Sequence, residues 1–151
     1  MDIGGKTMNN NRCVCCGAII PEGRQVCPIC ESETENKQLV FICSPFRSDD
    51  EMQKLVNTEN AKAYCRLATR QGYIPIAPHL FFSQFLNDDN QEERQKGILM
   101  GKQLLAQCSK IWVCGGYISM GMSEEIEFAQ KNGIPCEHIT YRGAYTVIKG
   151  G

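Results

Sequence analysis

The chain has 151 residues, of which 42% are hydrophobic and 22% are charged, and its formal net charge is -1. This balance indicates a soluble globular protein with one main domain and a small appendage, and the absence of a basic excess makes nucleic acid an unlikely partner. Residues 1–12 are polar and lack the apolar core of a signal peptide, and no apolar run is long enough to cross a membrane. We therefore expect a cytoplasmic protein with a flexible N-terminus.

Two cysteine pairs follow this segment. Cys13 and Cys16 form the first pair, Cys27 and Cys30 the second, and ten residues separate them. Each spacing lets a tight turn aim both sulfurs at one ion, and four thiolates complete a tetrahedral Zn²⁺ site with no open position. Residues 13–30 are thus predicted to be a zinc-ribbon-like knuckle with a structural zinc. A reducing compartment suits this cluster and the scattered thiols elsewhere in the chain.

Residues 31–38 are charged and polar and are interpreted as a linker to a main domain at 39–151. Apolar runs predict strands at 39–43, 73–77, 111–114, 134–139 and 144–148, and helical periodicity predicts helices at 50–71, 92–107 and 121–132. Alternating strands and helices indicate an α/β fold, a flavodoxin-like or Rossmann-like parallel sheet with helices on both faces. Ligands of such sheets bind beyond the carboxyl ends of the strands, which here means the loops 44–49, 78–82 and 115–121.

The helix at 121–132 carries a glutamate on its apolar side. Its buried arc is marked by Met122, Ile126 and Ala129. Glu125 falls inside that arc, whereas Glu124 and Glu127 fall on the opposite side, where Glu127 is spaced to pair with Lys131. A carboxylate among apolar side chains is costly unless it is paired or lines a cavity. The geometry fits a functional carboxylate and a residue at the edge of the arc that reaches water equally well.

Several segments together carry a resemblance to a known family. They are FICSPFR at 41–47, NA at 60–61, GYIPIAPH at 72–79, IWV at 111–113 and SMGMSEEIEFA at 119–129. Over about residues 39–139 the chain resembles the nucleoside 2-deoxyribosyltransferase-like superfamily, in particular its little-characterised bacterial and phage branch. The resemblance implies an enzyme that cleaves an N-glycosidic bond through a glutamate nucleophile, which maps onto Glu125.

The resemblance also bears on the substrate. Ser119 stands where enzymes acting on free deoxynucleosides often have aspartate and related deoxynucleotide hydrolases have serine, and Arg47 matches an arginine of those hydrolases. Both imply a phosphorylated ligand. The superfamily aspartate just before the third strand is replaced by Ser109, which leaves hydrolysis, transfer and binding without turnover open.

The resemblance and the loop positions together give a set of expected substrate contacts. His79 is a candidate hydrogen-bond donor to the leaving base, Phe46 and Tyr117 are candidate stacking partners, and free N–H groups near Gly121 are a candidate anion site. The whole set comprises Ser44, Phe46, Arg47, His79, Tyr117, Ser119, Gly121 and Met122.

The resemblance further implies a homo-oligomer, at least a dimer, because members of the superfamily commonly complete their sites across subunits. The apolar segment 80–86 is a candidate interface, with core packing as the alternative. Three functions remain open at this point: an N-glycosidase or deoxyribosyltransferase, a module that sequesters a signalling nucleotide without cleaving it, and an interaction protein that acts through the zinc knuckle.

Overall fold

The computed structural model describes residues 11–34 and 38–139 and divides the chain into two compact units, residues 1–37 and 38–151. Each unit has a hydrophobic core of its own. The strand predicted at 144–148 and the first ten residues of the N-terminal segment lie outside the described residues.

The first unit is a small knuckle around the paired cysteines. Arg12 forms an antiparallel bridge with Ile19, and helix α1 (Pro28–Thr34) begins between the two cysteines of the second pair. Pro28 suits the first position of a helix because its fixed φ is helical and its missing N–H has no helical partner there. The knuckle therefore includes Arg12, which was assigned to the flexible segment, and α1 extends into the predicted linker.

Over residues 38–139 the second unit contains four parallel strands, which confirms the predicted α/β class. They are β1 (Leu39–Cys43), β2 (Ile74–Ile76), β3 (Lys110–Cys114) and β4 (Cys136–Ile139), in the order β2-β1-β3-β4. The central strands, β1 and β3, are the most deeply buried, as expected of continuous apolar runs in a parallel sheet.

In the described part of this unit, four helices accompany the sheet: α2 (Glu51–Arg70), α3 (Pro78–Phe82), α4 (Gln91–Ala106) and α5 (Met120–Lys131). The three long helices begin one residue away from the predicted starts because Asp50, Asn90 and Ser119 are N-caps whose side chains accept N–H groups of the first turn. The short helix α3 was expected to be a loop. Pro78, interpreted as the end of a strand, also occupies the first position of this helix.

The two faces of the sheet have separate cores. One face packs against α2 and contains the buried residues Val40, Ile42, Tyr64, Ala68, Trp112 and Cys114. The other face is covered by α5, against which α4 packs, and contains Phe41, Cys43, Leu105, Cys108, Ile111, Val113, Met122 and Ala129. This alternation places helices on both faces of the sheet. Among the described residues, no helix has the length and apolar character needed to cross a bilayer.

A tight turn after β3 shapes this edge of the sheet. Gly115 has φ of +107°, and a Cβ atom added there would lie 2.7 Å from Cδ of Pro45 in the loop after β1. A Cβ atom added at neighbouring Gly116 would meet no atom within 4 Å. The two loops that follow β1 and β3 therefore approach each other as closely as they do because residue 115 has no side chain.

We predict that Gly115→Ala destabilises the protein by roughly 1–3 kcal/mol, through left-handed backbone strain and the clash with Pro45. The matched control Gly116→Ala should change stability by less than about 0.5 kcal/mol. Urea unfolding followed by fluorescence of Trp112, the single tryptophan, measures both. Equal unfolding midpoints for the two variants would contradict this account of the turn.

Candidate functional site

A cavity of about 820 Å³ opens at the carboxyl-terminal edge of the sheet. Its walls are the loop after β1, α3 with the turn that follows it, one side of α4 and the first turns of α5. The residues that line it are Phe46, Arg47, Pro78, His79, Phe82, Ser83, Leu86, Asp88, Asp89, Gln91, Arg94, Gln95, Gly97, Ile98, Leu99, Gly101, Lys102, Met120, Gly121, Glu124 and Glu125. Its volume is in the range of small-molecule sites.

The topology of the sheet explains the position of this cavity. The chain leaves β1 toward β2 on one side and reaches β3 on the other, so the strand order reverses between β1 and β3. The loops that leave neighbouring strands on opposite sides of such a point form a crevice, where ligands of open α/β sheets bind. The loop after β1 lines the cavity. So do the first turns of α5, the helix that follows β3.

Glu125 is the most perturbed carboxyl group of the cavity wall. It lies in the second turn of α5 and is half-buried, with Met122 and Ala129 in the core on the same side of the helix. Burial raises the pKa of the Glu125 carboxyl to about 7, and a hydrogen bond from the Cys43 thiol offsets part of that rise. Glu124 raises the pKa further and Lys102 lowers it. Near neutral pH this carboxyl therefore exchanges between its charged and neutral forms.

His79 lies on α3, on the opposite wall from α5. Burial lowers the pKa of its imidazole to about 4, so the ring is neutral near pH 7. Its Nε2 lies 3.4 Å from the Ser44 hydroxyl, and its ring packs against Phe46 with centroids 4.9 Å apart. A neutral imidazole supplies one N–H donor and one acceptor nitrogen but no positive charge.

A buried side-chain amide on α2 fixes the loop that follows β1. The Asn57 side chain on α2 is buried, donates to the backbone carbonyl of Phe46 at 3.2 Å and accepts from Gln53 at 2.9 Å. Phe46 and Arg47 are thereby held at the cavity wall, where the Arg47 guanidinium is exposed. Asn57 was not predicted as a site residue, because its polar side chain has no mark in the sequence that separates it from the exposed polar residues of the same helix.

Charged side chains of both signs line the cavity. The cations are Arg47, Arg94 and Lys102, and within residues 11–34 and 38–139 none of them forms an ion pair. The acids are Asp88, Asp89, Glu124 and Glu125. Cations outside ion pairs are available to an anionic group of a ligand, and Arg47 and Arg94 offer planar forks suited to phosphate or carboxylate.

Four of the expected substrate contacts lie outside this wall. Ser44 is buried behind His79, and Met122 is buried in the core beneath α5. Tyr117 is 53% exposed in the loop after β3 and does not line the cavity. Ser119 is the N-cap of α5, and its hydroxyl accepts the Met122 N–H at 3.3 Å. The remaining four, Phe46, Arg47, His79 and Gly121, line the cavity with Glu125.

The position of Ser109 corrects one expectation. Ser109 precedes β3, so it lies at the amino-terminal edge of the parallel sheet, and its hydroxyl donates to the carbonyl of Leu39 at 2.9 Å. The cavity lies at the other edge. An acid at residue 109 would not reach the cavity, and its absence therefore carries no information about turnover.

The charged face of α5 was predicted to be exposed surface, and part of it also lines the cavity. The predicted surface ion pair between Glu127 and Lys131 is present at 2.9 Å. Glu124 is exposed, as expected for that face, but it also lines the mouth of the cavity next to Glu125. A helical wheel correctly places Glu124 away from the core. It cannot show that the neighbouring helix α4 makes this surface of α5 part of the cavity wall.

Helix α4 forms a side of the cavity that sequence analysis missed. Arg94 and Lys102 lie on it, and between them Gly97 and Gly101, four residues apart, expose the helix backbone at two positions of the cavity wall. A glycine inside a helix costs roughly 0.5–1 kcal/mol relative to alanine, so two of them in one helix are an unusual choice for stability alone. This pair of glycines was the available sequence signal for a helix that borders a cavity.

The four paired cysteines converge within the knuckle. Their sulfurs all lie within 4.8 Å of one another, and the Sγ atoms of Cys16 and Cys27 are 3.7 Å apart. Zn–S bonds of about 2.3 Å place the sulfurs of a tetrahedral site about 3.8 Å apart, so the cluster fits this geometry. Backbone N–H groups, that of Cys27 foremost, lower the pKa of the Cys13 thiol to about 6. The fifth nearby cysteine, Cys15, is exposed and lies outside the cluster.

The main domain matches a described protein family. The model of a domain of unknown function, DUF7768, matches residues 38–139. The chain belongs to the DUF7768 family. No curated protein matches the chain. Among solved structures, it is similar to a 2-deoxyribosyltransferase from the psychrotolerant bacterium Bacillus psychrosaccharolyticus, with a TM-score of 0.50 and 15% identity over 66% of this chain and 70% of the other. At that identity the likeness shows the fold, and it confirms that the DUF7768 domain has the predicted nucleoside deoxyribosyltransferase-like architecture.

The raised pKa of Glu125 predicts a pH-dependent stability. Its folded value is about 7 against an ordinary value of 4.5, so between these values the folded DUF7768 domain holds a proton that the unfolded chain has released. Folding stability therefore falls as pH rises from about 4.5 to 7. Glu125→Gln removes this loss and should stabilise the protein by up to about 3 kcal/mol above pH 7, with little gain near pH 4.5.

The control for this prediction is Glu127→Gln, which alters an exposed ion pair and should shift the urea midpoint little at either pH. Urea unfolding of both variants and the wild type at the two pH values makes the comparison. A pH-independent effect of Glu125→Gln would contradict the burial of the ionised carboxyl.

Proposed function

We propose that the DUF7768 domain of this protein cleaves the N-glycosidic bond of a nucleoside 5′-phosphate or nucleoside, with Glu125 as the nucleophile. The observation that carries the proposal is a half-buried carboxyl of raised pKa in the wall of a cavity at the strand-order reversal of the sheet. The similarity in fold to a 2-deoxyribosyltransferase supports the class of substrate.

The chemistry follows from the charge that develops on the sugar. An ionised Glu125 oxygen attacks the anomeric carbon, the C–N bond breaks, and its electron pair leaves with the base, which takes up a proton. Water then attacks the anomeric carbon of the glycosyl ester, which releases the sugar and restores the carboxylate. A nucleoside in place of water would make the reaction a transfer.

The other cavity residues have complementary tasks in this proposal. Neutral His79 offers a hydrogen bond to the leaving base rather than a full positive charge, because burial keeps it unprotonated. Phe46 presents an apolar surface for the base beside it. Arg47, Arg94 and Lys102, which form no ion pair within the described residues, favour a ligand with a phosphate.

We predict that the wild-type protein releases free base from one or more members of a nucleoside and nucleotide panel, measured by chromatography. Glu125→Gln should lower the rate by about 1,000-fold or more while changing ligand affinity little, because the carboxylate serves the charged transition state. Glu127→Gln, on the exposed face of the same helix, should retain the wild-type rate.

Two results would overturn this assignment. Full turnover by Glu125→Gln would exclude the residue as nucleophile. Binding of a nucleotide in calorimetry, with no base released from any member of the panel, would favour the sequestering module instead. Ser109 lies at the other edge of the sheet from the cavity, so its side chain does not favour either function.

For the knuckle we propose a structural zinc ion bound by Cys13, Cys16, Cys27 and Cys30. The support is the fit of the sulfur cluster to a closed tetrahedral site. Coordinated on all sides by thiolates, the ion would fold the knuckle and offer no position to a substrate.

Elemental analysis should find about one zinc ion per chain in freshly purified protein. The variant Cys16→Ser should lose the metal, whereas Cys15→Ser, at an exposed thiol outside the cluster, should keep it. Metal-free wild-type protein, or loss of zinc in Cys15→Ser, would refute the ligand set.

A further inference from the structure

Ser44 is a buried polar residue without a role in the proposed reaction. It follows β1 directly, is 6% exposed and does not line the cavity. Its hydroxyl oxygen lies 3.4 Å from Nε2 of His79. In the part of the chain that the structure describes, this contact is the one hydrogen bond of the Ser44 side chain.

The fold holds both partners of this contact in place. Pro45 restricts the backbone of Ser44 to extended conformations, and Asn57 holds the next residue of the loop through the Phe46 carbonyl. The His79 ring packs against the Phe46 ring with centroids 4.9 Å apart and planes tilted by 58°. The imidazole is therefore fixed by Phe46 through its ring and by the Ser44 hydroxyl at Nε2.

A hydrogen bond between a hydroxyl and an imidazole nitrogen can run in either direction, and burial of the hydroxyl decides between the two. The imidazole is neutral near pH 7, because burial lowers its pKa to about 4, so it carries one ring proton. If Nε2 donated that proton to Ser44, the hydroxyl hydrogen would have no acceptor among the described residues. A buried donor without an acceptor costs more than an unused oxygen lone pair. The Ser44 hydroxyl therefore donates and Nε2 accepts.

This direction leaves the ring proton of His79 on Nδ1. Within residues 11–34 and 38–139, Nδ1 forms no hydrogen bond, and no fully buried side-chain nitrogen or oxygen there lacks one. Nδ1 is therefore open to solvent, and the cavity is the space that His79 lines. The ring thus presents a fixed N–H donor to a ligand in the cavity.

We infer that Ser44 is a positioning residue whose hydroxyl fixes the tautomer of His79 in which Nδ1 carries the proton and donates to the leaving base. The inference rests on the function proposed above, and it adds which ring nitrogen acts and what the base must offer. An acceptor nitrogen or carbonyl oxygen on the base gains a hydrogen bond as negative charge develops during C–N cleavage. The opposite tautomer would present a lone pair to that acceptor and repel it.

The test is a nitrogen-15 NMR spectrum of the imidazole rings in full-length protein labelled at histidine, recorded near pH 7. The chain has two histidines, and the His79 signals are assigned by their loss in His79→Gln. Long-range proton–nitrogen correlations separate a protonated ring nitrogen from an unprotonated one. The wild type should show a protonated Nδ1 and an unprotonated Nε2. In Ser44→Ala the proton should move at least in part to Nε2, because no donor then occupies that nitrogen.

The matched control is Ser48→Ala, in the same loop. Ser48 lies outside the cavity wall, and its hydroxyl accepts the Asp50 N–H at 3.1 Å instead of contacting His79. This variant should keep the wild-type tautomer. Where the panel reveals turnover, Ser44→Ala should lower kcat by about 3- to 10-fold with little change in KM, because the lost hydrogen bond serves the charge that develops in the transition state. Ser48→Ala should keep the wild-type rate.

Three results would overturn the inference: a protonated Nε2 in the wild type, an unchanged tautomer in Ser44→Ala, or an equal change in Ser48→Ala. If Ser44→Ala does not fold, Ser44→Cys replaces it. A thiol donates only weakly, so the proton should shift in the same direction, and the absence of a shift overturns the inference.

The spectrum also separates this inference from the proposed reaction, because it needs no turnover. The inferred tautomer without base release would refute the reaction and leave the role of Ser44 standing. Base release by a wild-type protein with a protonated Nε2 would do the reverse.

Discussion

The site is organised around a carboxyl group that the fold keeps partly out of water. Burial alone disfavours the charged form of Glu125, and the structure opposes that cost with a thiol from the end of β1 and a lysine from α4. Each of these groups lies on a different element. The protonation of the Glu125 carboxyl therefore depends on the sheet, on α4 and on α5 together. The parallel order β2-β1-β3-β4 makes this convergence possible, because it brings the carboxyl end of β1, where Cys43 lies, beneath the first turns of α5.

The same edge of the domain carries other features that cost stability. Helix α4 has two glycines where it borders the cavity, and a left-handed glycine is required where the loop after β3 meets Pro45. The core built from β1 and β3 offsets these local losses through large side chains that are almost fully buried on both faces. A concentration of unfavourable choices around one cavity, within an otherwise well-packed domain, is typical of a functional site.

Much of this could be predicted from the sequence, for identifiable reasons. Strands such as Leu39–Cys43 were predicted because a buried parallel strand is a short apolar run, and α5 placed Glu125 on its apolar side through helical periodicity. Helix α3 was missed because five residues are too few to show a period, and the prediction stopped at Pro78. Lys102 and Arg94 were missed because a polar residue on an amphipathic helix has the same pattern whether it faces solvent or a cavity. Ser109 was compared with an active-site aspartate through the resemblance alone, although its place before β3 puts it at the amino-terminal edge of the parallel sheet.

The central claim is that a Glu125 oxygen forms a covalent bond to the anomeric carbon of the sugar. Mass spectrometry of protein quenched in acid during turnover of a nucleoside 5′-phosphate tests it most directly. The account predicts an added mass equal to that of the sugar phosphate residue, located by peptide fragmentation on Glu125 and absent from Glu125→Gln. Release of base with no adduct on the wild-type protein under single-turnover sampling, or an adduct on another residue such as Glu124, would contradict it.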